Sequence, residues 1–304
     1  MISFENLILI TLLSPLLVCL LTPLLSSKPI LRDILGPLGG IISSWGAIQL
    51  MASILNGEQP RLELLQIAEG ISISFVVTPL GAIFGLVASV LWIFAAIYSV
   101  GYMRGNKEKN QTRFYIFYAM AVHAALCIAY AGDLLTLFIF YEVLTFSTYP
   151  LVTHKQNEMA QKAGRLYMSI LVGTSVILLL PAIIWVWVVT GSLEMSQNGV
   201  LDGKMNPKYA PYLLAMFVFG IGKAALMPIH KWLPAAMVAP TPVSALLHAV
   251  AVVKAGVFTM LLILTNVFGI DFLSKTGASN WLVWLASFTP VSYTHLRAHE
   301  TVRN

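Results

Sequence analysis

The chain has 304 residues, 58% hydrophobic and 10% charged, with a formal net charge of +5. Soluble domains carry about 25% charged residues, and a mean hydropathy of +0.82 leaves more apolar surface than one water-soluble core can hide. A soluble enzyme and a nucleic-acid-binding domain are therefore excluded in favour of a chain whose main solvent is lipid.

A helix needs about 20 apolar residues to cross a bilayer. The first segment of that length is Leu7–Leu25. It follows Glu5 rather than a basic stretch, so a retained helix is expected and not a cleaved signal. Ile34–Leu55, Leu80–Tyr102, Phe114–Gly132, Leu134–Val152, Leu166–Gly191, Tyr209–Ile229 and Val243–Leu264 follow, and a ninth span begins near Trp281. These runs are continuously apolar, without the alternation of a membrane barrel. Backbone groups in lipid must pair internally. The expected fold class is all-α, a polytopic membrane helix bundle. Cys19 and Cys127 fall inside the spans and read as small buried hydrophobes. No metal-ligand spacing, Walker loop or dinucleotide fingerprint occurs, so no cofactor is expected.

Loop charges alternate. Lys28, Arg32 and Asp33 follow the first span; Glu58, Arg61, Glu63 and Glu69 follow the second. Arg104, Lys107, Glu108, Lys109 and Arg113 follow the third, Lys155, Glu158, Lys162 and Arg165 the fifth, and Lys231 the seventh. The positive-inside rule then puts the N-terminus outside and the odd-numbered loops in the cytoplasm. The end of the chain breaks this pattern: His295, Arg297, His299, Glu300 and Arg303 crowd into Val291–Asn304. The string SYTHLRAHET resembles translated sequencing-adapter peptide. Residues 291–304 are thus expected to be a non-native tail on a chain cut inside its ninth span; the alternative is a genuine basic loop.

An ionisable side chain in mid-membrane costs about 2.5–3.5 kcal/mol on insertion scales, so such residues mark function. Glu142, Lys223, His248 and Lys254 are the strong cases, and His123 a weaker one. At 1.5 Å per residue, Glu142 lies about 14 Å from the Asp133 end of its span and Lys254 about 16 Å from the start of its own. With Lys223 they share one depth, as a proton relay across the membrane plane requires. The structural alternatives are an ion-pair partner for Glu142, a snorkelling side chain for Lys223, and carbonyl-bonded core histidines for His248 and His123. The segment after Lys223 carries Pro228, Pro234, Pro240 and Pro242, with His230 as an accessory candidate. Prolines this dense break a helix, and broken helices at membrane depth line transport sites.

Two strings carry a family likeness: GDLLTLFIFYEVLTFSTYPLV and PIHKWLPAAMVAPTPVSALLHAVAVVKAGVF. The chain resembles the antiporter-like membrane subunits of Mrp-type multisubunit cation/proton antiporters and respiratory complex I, over roughly Leu80–Leu264. The D-type member of the Mrp set is the nearest likeness, with the A-type member and the complex I homologues as near alternatives. The resemblance implies inverted five-helix repeats, each with a broken helix. Residues 1–103 would be three N-terminal helices, 114–264 the first repeat, and 265–290 the truncated start of the second. It implies a Glu142–Lys223 pair with His248 and Lys254 leading onward. Asp133 stands where relatives often have Asn. The implied function is one component of a bacterial inner-membrane Na+ or K+/proton antiporter, a transporter rather than an enzyme, with other subunits and H+ as partners. The alternatives are a proton-pumping component of an NADH-quinone oxidoreductase or membrane-bound hydrogenase, and a purely structural membrane component.

Overall fold

The structure is a computed structural model and describes residues 3–289. The expected tail at 291–304 lies outside the described residues.

The chain opens with α1 (Phe4–Leu24) and α2 (Pro29–Leu55). An antiparallel hairpin follows, β1 (Arg61–Ala68) and β2 (Ile71–Val76), and then α3 (Pro79–Gly105), α4 (Gln111–Ala129) and α5 (Leu134–Val152). α6 (Glu158–Thr174) continues through a π turn at Ser175–Leu179 into α7 (Leu180–Thr190). Among the described residues, seven helical stretches are long and apolar enough to cross a membrane. They match seven of the eight expected spans. The exception is the stretch expected at Tyr209–Ile229, where α8 (Ala210–Gly220) stops after 11 residues.

Beyond it the chain passes through 3-10 turns at Gly222–Ala224 and Ile229–Lys231, the short α9 (Trp232–Ala235) and a 3-10 turn at Ala236–Val238. The last long stretch, Thr241–Phe268, contains α10 (Thr241–Ala245), a π turn at Leu246–Val250, α11 (Val252–Leu262) and a π turn at Ile263–Phe268. α12 (Ile270–Thr276) and a helical stretch at 280–289 close the described chain.

Local chemistry fixes the helix starts. Thr78 Oγ1 accepts the Gly81 N–H at 3.0 Å, with Pro79 at the first position of α3. Asn157 Oδ1 accepts the Ala160 N–H at 2.8 Å to start α6. Such caps satisfy donors that a helix end otherwise leaves unpaired. α4 lies at the centre, packed by α1, α3, α5 and α11, and from Ala124 to Tyr130 it is almost wholly buried.

Two sequence readings need correction. Arg32 and Asp33 are not loop residues; both lie within α2 and are buried. Asp33 pairs with Arg32 at 2.8 Å and with Arg104 of α3 at 2.6 Å, while Arg32 also donates to Gln111 and Thr112 of α4. A guanidinium offers a fork of donors, so one buried cluster can tie three helices together. The hairpin was likewise not anticipated in an all-α bundle. In β2, Ser72 and Ser74 turn inward while Ile71 and Ile73 are only partly buried, the reverse of the usual apolar-inward pattern.

Candidate functional site

The interruption after α8 begins at Gly220, ahead of the first proline. Gly220 lies against the backbone of Leu179 in the π turn between α6 and α7; a Cβ there would stand 2.6 Å from the Leu179 nitrogen. From the other side Gly256 of α11 presses on the backbone of Lys223 and Ala224, with no room for a Cβ. The break is thus clamped between two helical stretches. At its exit Ala225 adopts a left-handed conformation, φ 53°, which costs a non-glycine residue about 1–2 kcal/mol. Strain of this kind clusters at functional sites.

Lys223 sits inside the break and is fully buried. Its Nζ donates to the Tyr141 carbonyl at 2.8 Å and to Thr145 Oγ1 at 2.5 Å, and lies 3.2 Å from the centre of the Tyr141 ring. The Lys223 backbone N–H donates to Tyr141 Oη at 3.1 Å. The Trp232 indole N–H donates to the Gly222 carbonyl at 3.0 Å. Trp232 packs edge-on against Tyr167 of α6, whose hydroxyl is 2.6 Å from Thr148 Oγ1 of α5. The walls of the Lys223 site are therefore hydrogen-bonded on both sides.

Glu142 follows Tyr141 directly. Both of its carboxylate oxygens are buried and without a hydrogen-bond partner among the described residues. It takes part in none of the ion pairs of the described residues, yet it directly follows the residue whose carbonyl holds the Lys223 amine. Glu142 and Lys223 thus share a neighbourhood without a direct contact.

The other candidates lie apart from this pair. His248, in the π turn at Leu246–Val250, is half-buried with Nε2 3.2 Å from the Met237 sulfur. Lys254 is exposed on α11 and has no ion pair or hydrogen bond among the described residues. No hydrogen bond joins Lys223 to His248 or Lys254 among the described residues. His123 is a buried core histidine whose Nδ1 lies 2.8 Å from the Leu12 carbonyl of α1. His230 is buried in the turn Ile229–Lys231. Pro228 precedes that turn, Pro234 lies in α9, and Pro240 and Pro242 start α10.

Sequence reading missed three residues. Tyr141 and Thr145 form the lysine cradle; their spacing of four places polar groups on one helix face, which was the available signal. Asp133, noted in the sequence without a role, caps α5. Its carboxylate accepts the Thr136 N–H at 2.7 Å, the Thr136 hydroxyl at 2.7 Å, the Ser74 N–H at 3.0 Å and the Ser74 hydroxyl at 2.9 Å.

Comparison with known proteins gives the family. The family described as "NADH:quinone oxidoreductase/Mrp antiporter, TM" matches residues 131–298, more than half of the chain. The chain belongs to that family. A second family, the N-terminus of complex I chain 5, matches residues 65–115. Among relatives, "Putative antiporter subunit mnhA2" of Staphylococcus haemolyticus is 25% identical over 247 residues, 80% of this chain and 31% of its own. A protein of the same name from Staphylococcus aureus is 29% identical over 211 residues, 69% of this chain and 25% of its own. The chain thus spans a third or less of these relatives; both carry the mnhA2 designation, and the expected D-type likeness is not confirmed. Among solved structures, the Mrp complex from Dietzia sp. aligns with a TM-score of 0.73 at 23% identity, covering 84% of this chain and 28% of the other. An archaeal membrane-bound sulfane sulfur reductase aligns with the same TM-score at 22% identity, covering 83% and 52%. This NADH:quinone oxidoreductase/Mrp antiporter fold is a multi-pass membrane bundle.

Proposed function

We propose that the chain is part of one component of a multisubunit Na+ or K+/proton antiporter in a bacterial inner membrane, with its N-terminus outside, passing protons through Glu142, Lys223, His248 and Lys254. Family membership and the antiporter relatives support the class. The single observation that carries the mechanism is Lys223: a fully buried amine in a broken helix, beside a carboxylate that it does not touch. Burial disfavours the charged amine and a nearby carboxylate favours it. A pair whose separation changes therefore changes its hold on a proton. A cation that binds better in one arrangement biases that change, and the coupling runs both ways.

The test uses the assembled complex in inverted membrane vesicles. Addition of Na+ or K+ should dissipate a pre-formed pH gradient. Glu142→Gln and Lys223→Ala should reduce that response to background while the complex still assembles. Wild-type exchange in either variant would end this reading. A redox-driven proton pump is the second reading, favoured by the reductase with the same fold; proton movement that follows an electron donor and ignores added cation would select it.

A further inference from the structure

We infer that Thr145 is a positioning residue that gives Lys223 a second docking place, so that the lysine alternates between a neutral cradle and the Glu142 carboxylate. The inference rests on the transport reading above and adds the resting place of the detached lysine. An ammonium group has three N–H donors. Here one meets the Tyr141 carbonyl, one meets Thr145 Oγ1, and the face of the Tyr141 ring lies 3.2 Å away. The cradle therefore accommodates the charged lysine with no carboxylate in contact.

Thr145 is built for this task. A buried helical threonine commonly does no more than donate to the carbonyl four residues back. Thr145 does so, to Tyr141 at 3.1 Å, which leaves its lone pairs for the ammonium. Thr148, one turn-step away, instead meets Tyr167 and is not part of the cradle. Tyr141 and Thr145 share one face of α5, whereas Glu142 is rotated by about 100° from Tyr141. The two stations are thus separated by a rotation about the α5 axis. Among the described residues, the titratable groups near Lys223 are Tyr141 and Glu142 of α5, Tyr167 of α6, and His230 and Lys231 in the turn packed against its own. α11 presents backbone at Gly256 and carries Lys254 away from the site.

Thr145→Val keeps the shape and removes the acceptor; Thr145→Ser keeps the acceptor. Cation-driven proton exchange in inverted vesicles, measured across pH for the assembled complex, separates them. A hydrogen bond to a charged group is strong enough that its loss should move the protonation-dependent limb of the profile to lower pH by about one unit. Thr145→Ser should retain the wild-type profile. Should Thr145→Val fail to assemble, Thr145→Ala takes its place with the same expected shift. A wild-type profile in the Val or Ala variant, with Lys223→Ala inactive, overturns the cradle and leaves the transport reading standing. Coupled exchange in Lys223→Ala overturns both.

Discussion

Lys223 and Asp133 are buried charges handled in opposite ways. Lys223 is held by neutral groups, and its cation–π contact alone is worth about 2 kcal/mol when desolvated. With hydrogen bonds of about 1.5–3 kcal/mol each, the cradle is of the same order as the several kcal/mol that desolvating an ion costs. Asp133 is saturated by four donors from two residues. Asp133→Ala would leave the Ser74 hydroxyl and the Thr136 N–H and hydroxyl without their acceptor, while the Ser74 N–H keeps Thr136 Oγ1. The expected cost is about 3 kcal/mol, read as a lower melting temperature of the purified protein, and Asp133→Asn should cost less because it keeps an acceptor. The sequence made Glu142 and Lys223 legible because an ionisable group in an apolar run is conspicuous. It did not show their separation. The four-residue spacing of Tyr141 and Thr145 hinted at the face that meets the break, but the lone charge at Glu142 drew attention to the neighbouring face.

At the scale of elements, the broken helix was legible in its prolines but not in its starting point. Gly220 ends α8 where the Leu179 backbone closes on it, a tertiary contact invisible to local propensity. Gly256 is the matching contact from α11. Gly256→Val should drive a side chain into the Lys223 and Ala224 backbone, cost about 1–3 kcal/mol by overpacking, and lower exchange in the vesicle assay. Gly101→Ala, where nothing lies within 4 Å, is the control and should match wild type. The hairpin had a faint signal, the alternation of ISISF at 71–75. Eight spans of stronger signal masked it, and its inverted polarity makes sense only once Asp133 is seen behind it.

In the molecule as a whole, seven spans were read correctly from apolar length, since lipid leaves a helix few alternatives. What length cannot supply is how helices are tied together, and the Arg32–Asp33–Arg104 cluster does that across α2, α3 and α4. Removing one partner of a buried ion pair costs about 3–5 kcal/mol. Asp33→Asn should therefore lower the melting temperature and speed proteolysis at the α3–α4 connection, residues 106–110, in vesicles that expose that face.

The bond between Ser74 and Asp133 closes across 59 residues, and α3 and α4 lie between them. Two consecutive spans carry the chain across the bilayer and back, so its ends meet again on the side from which they departed. The hairpin can engage Asp133 only when that round trip is complete. Asp133 caps α5 locally through Thr136, and the hairpin adds to that cap a tie that exists only when the two preceding helices are in place, so a defect in either should appear first as an unlatched hairpin.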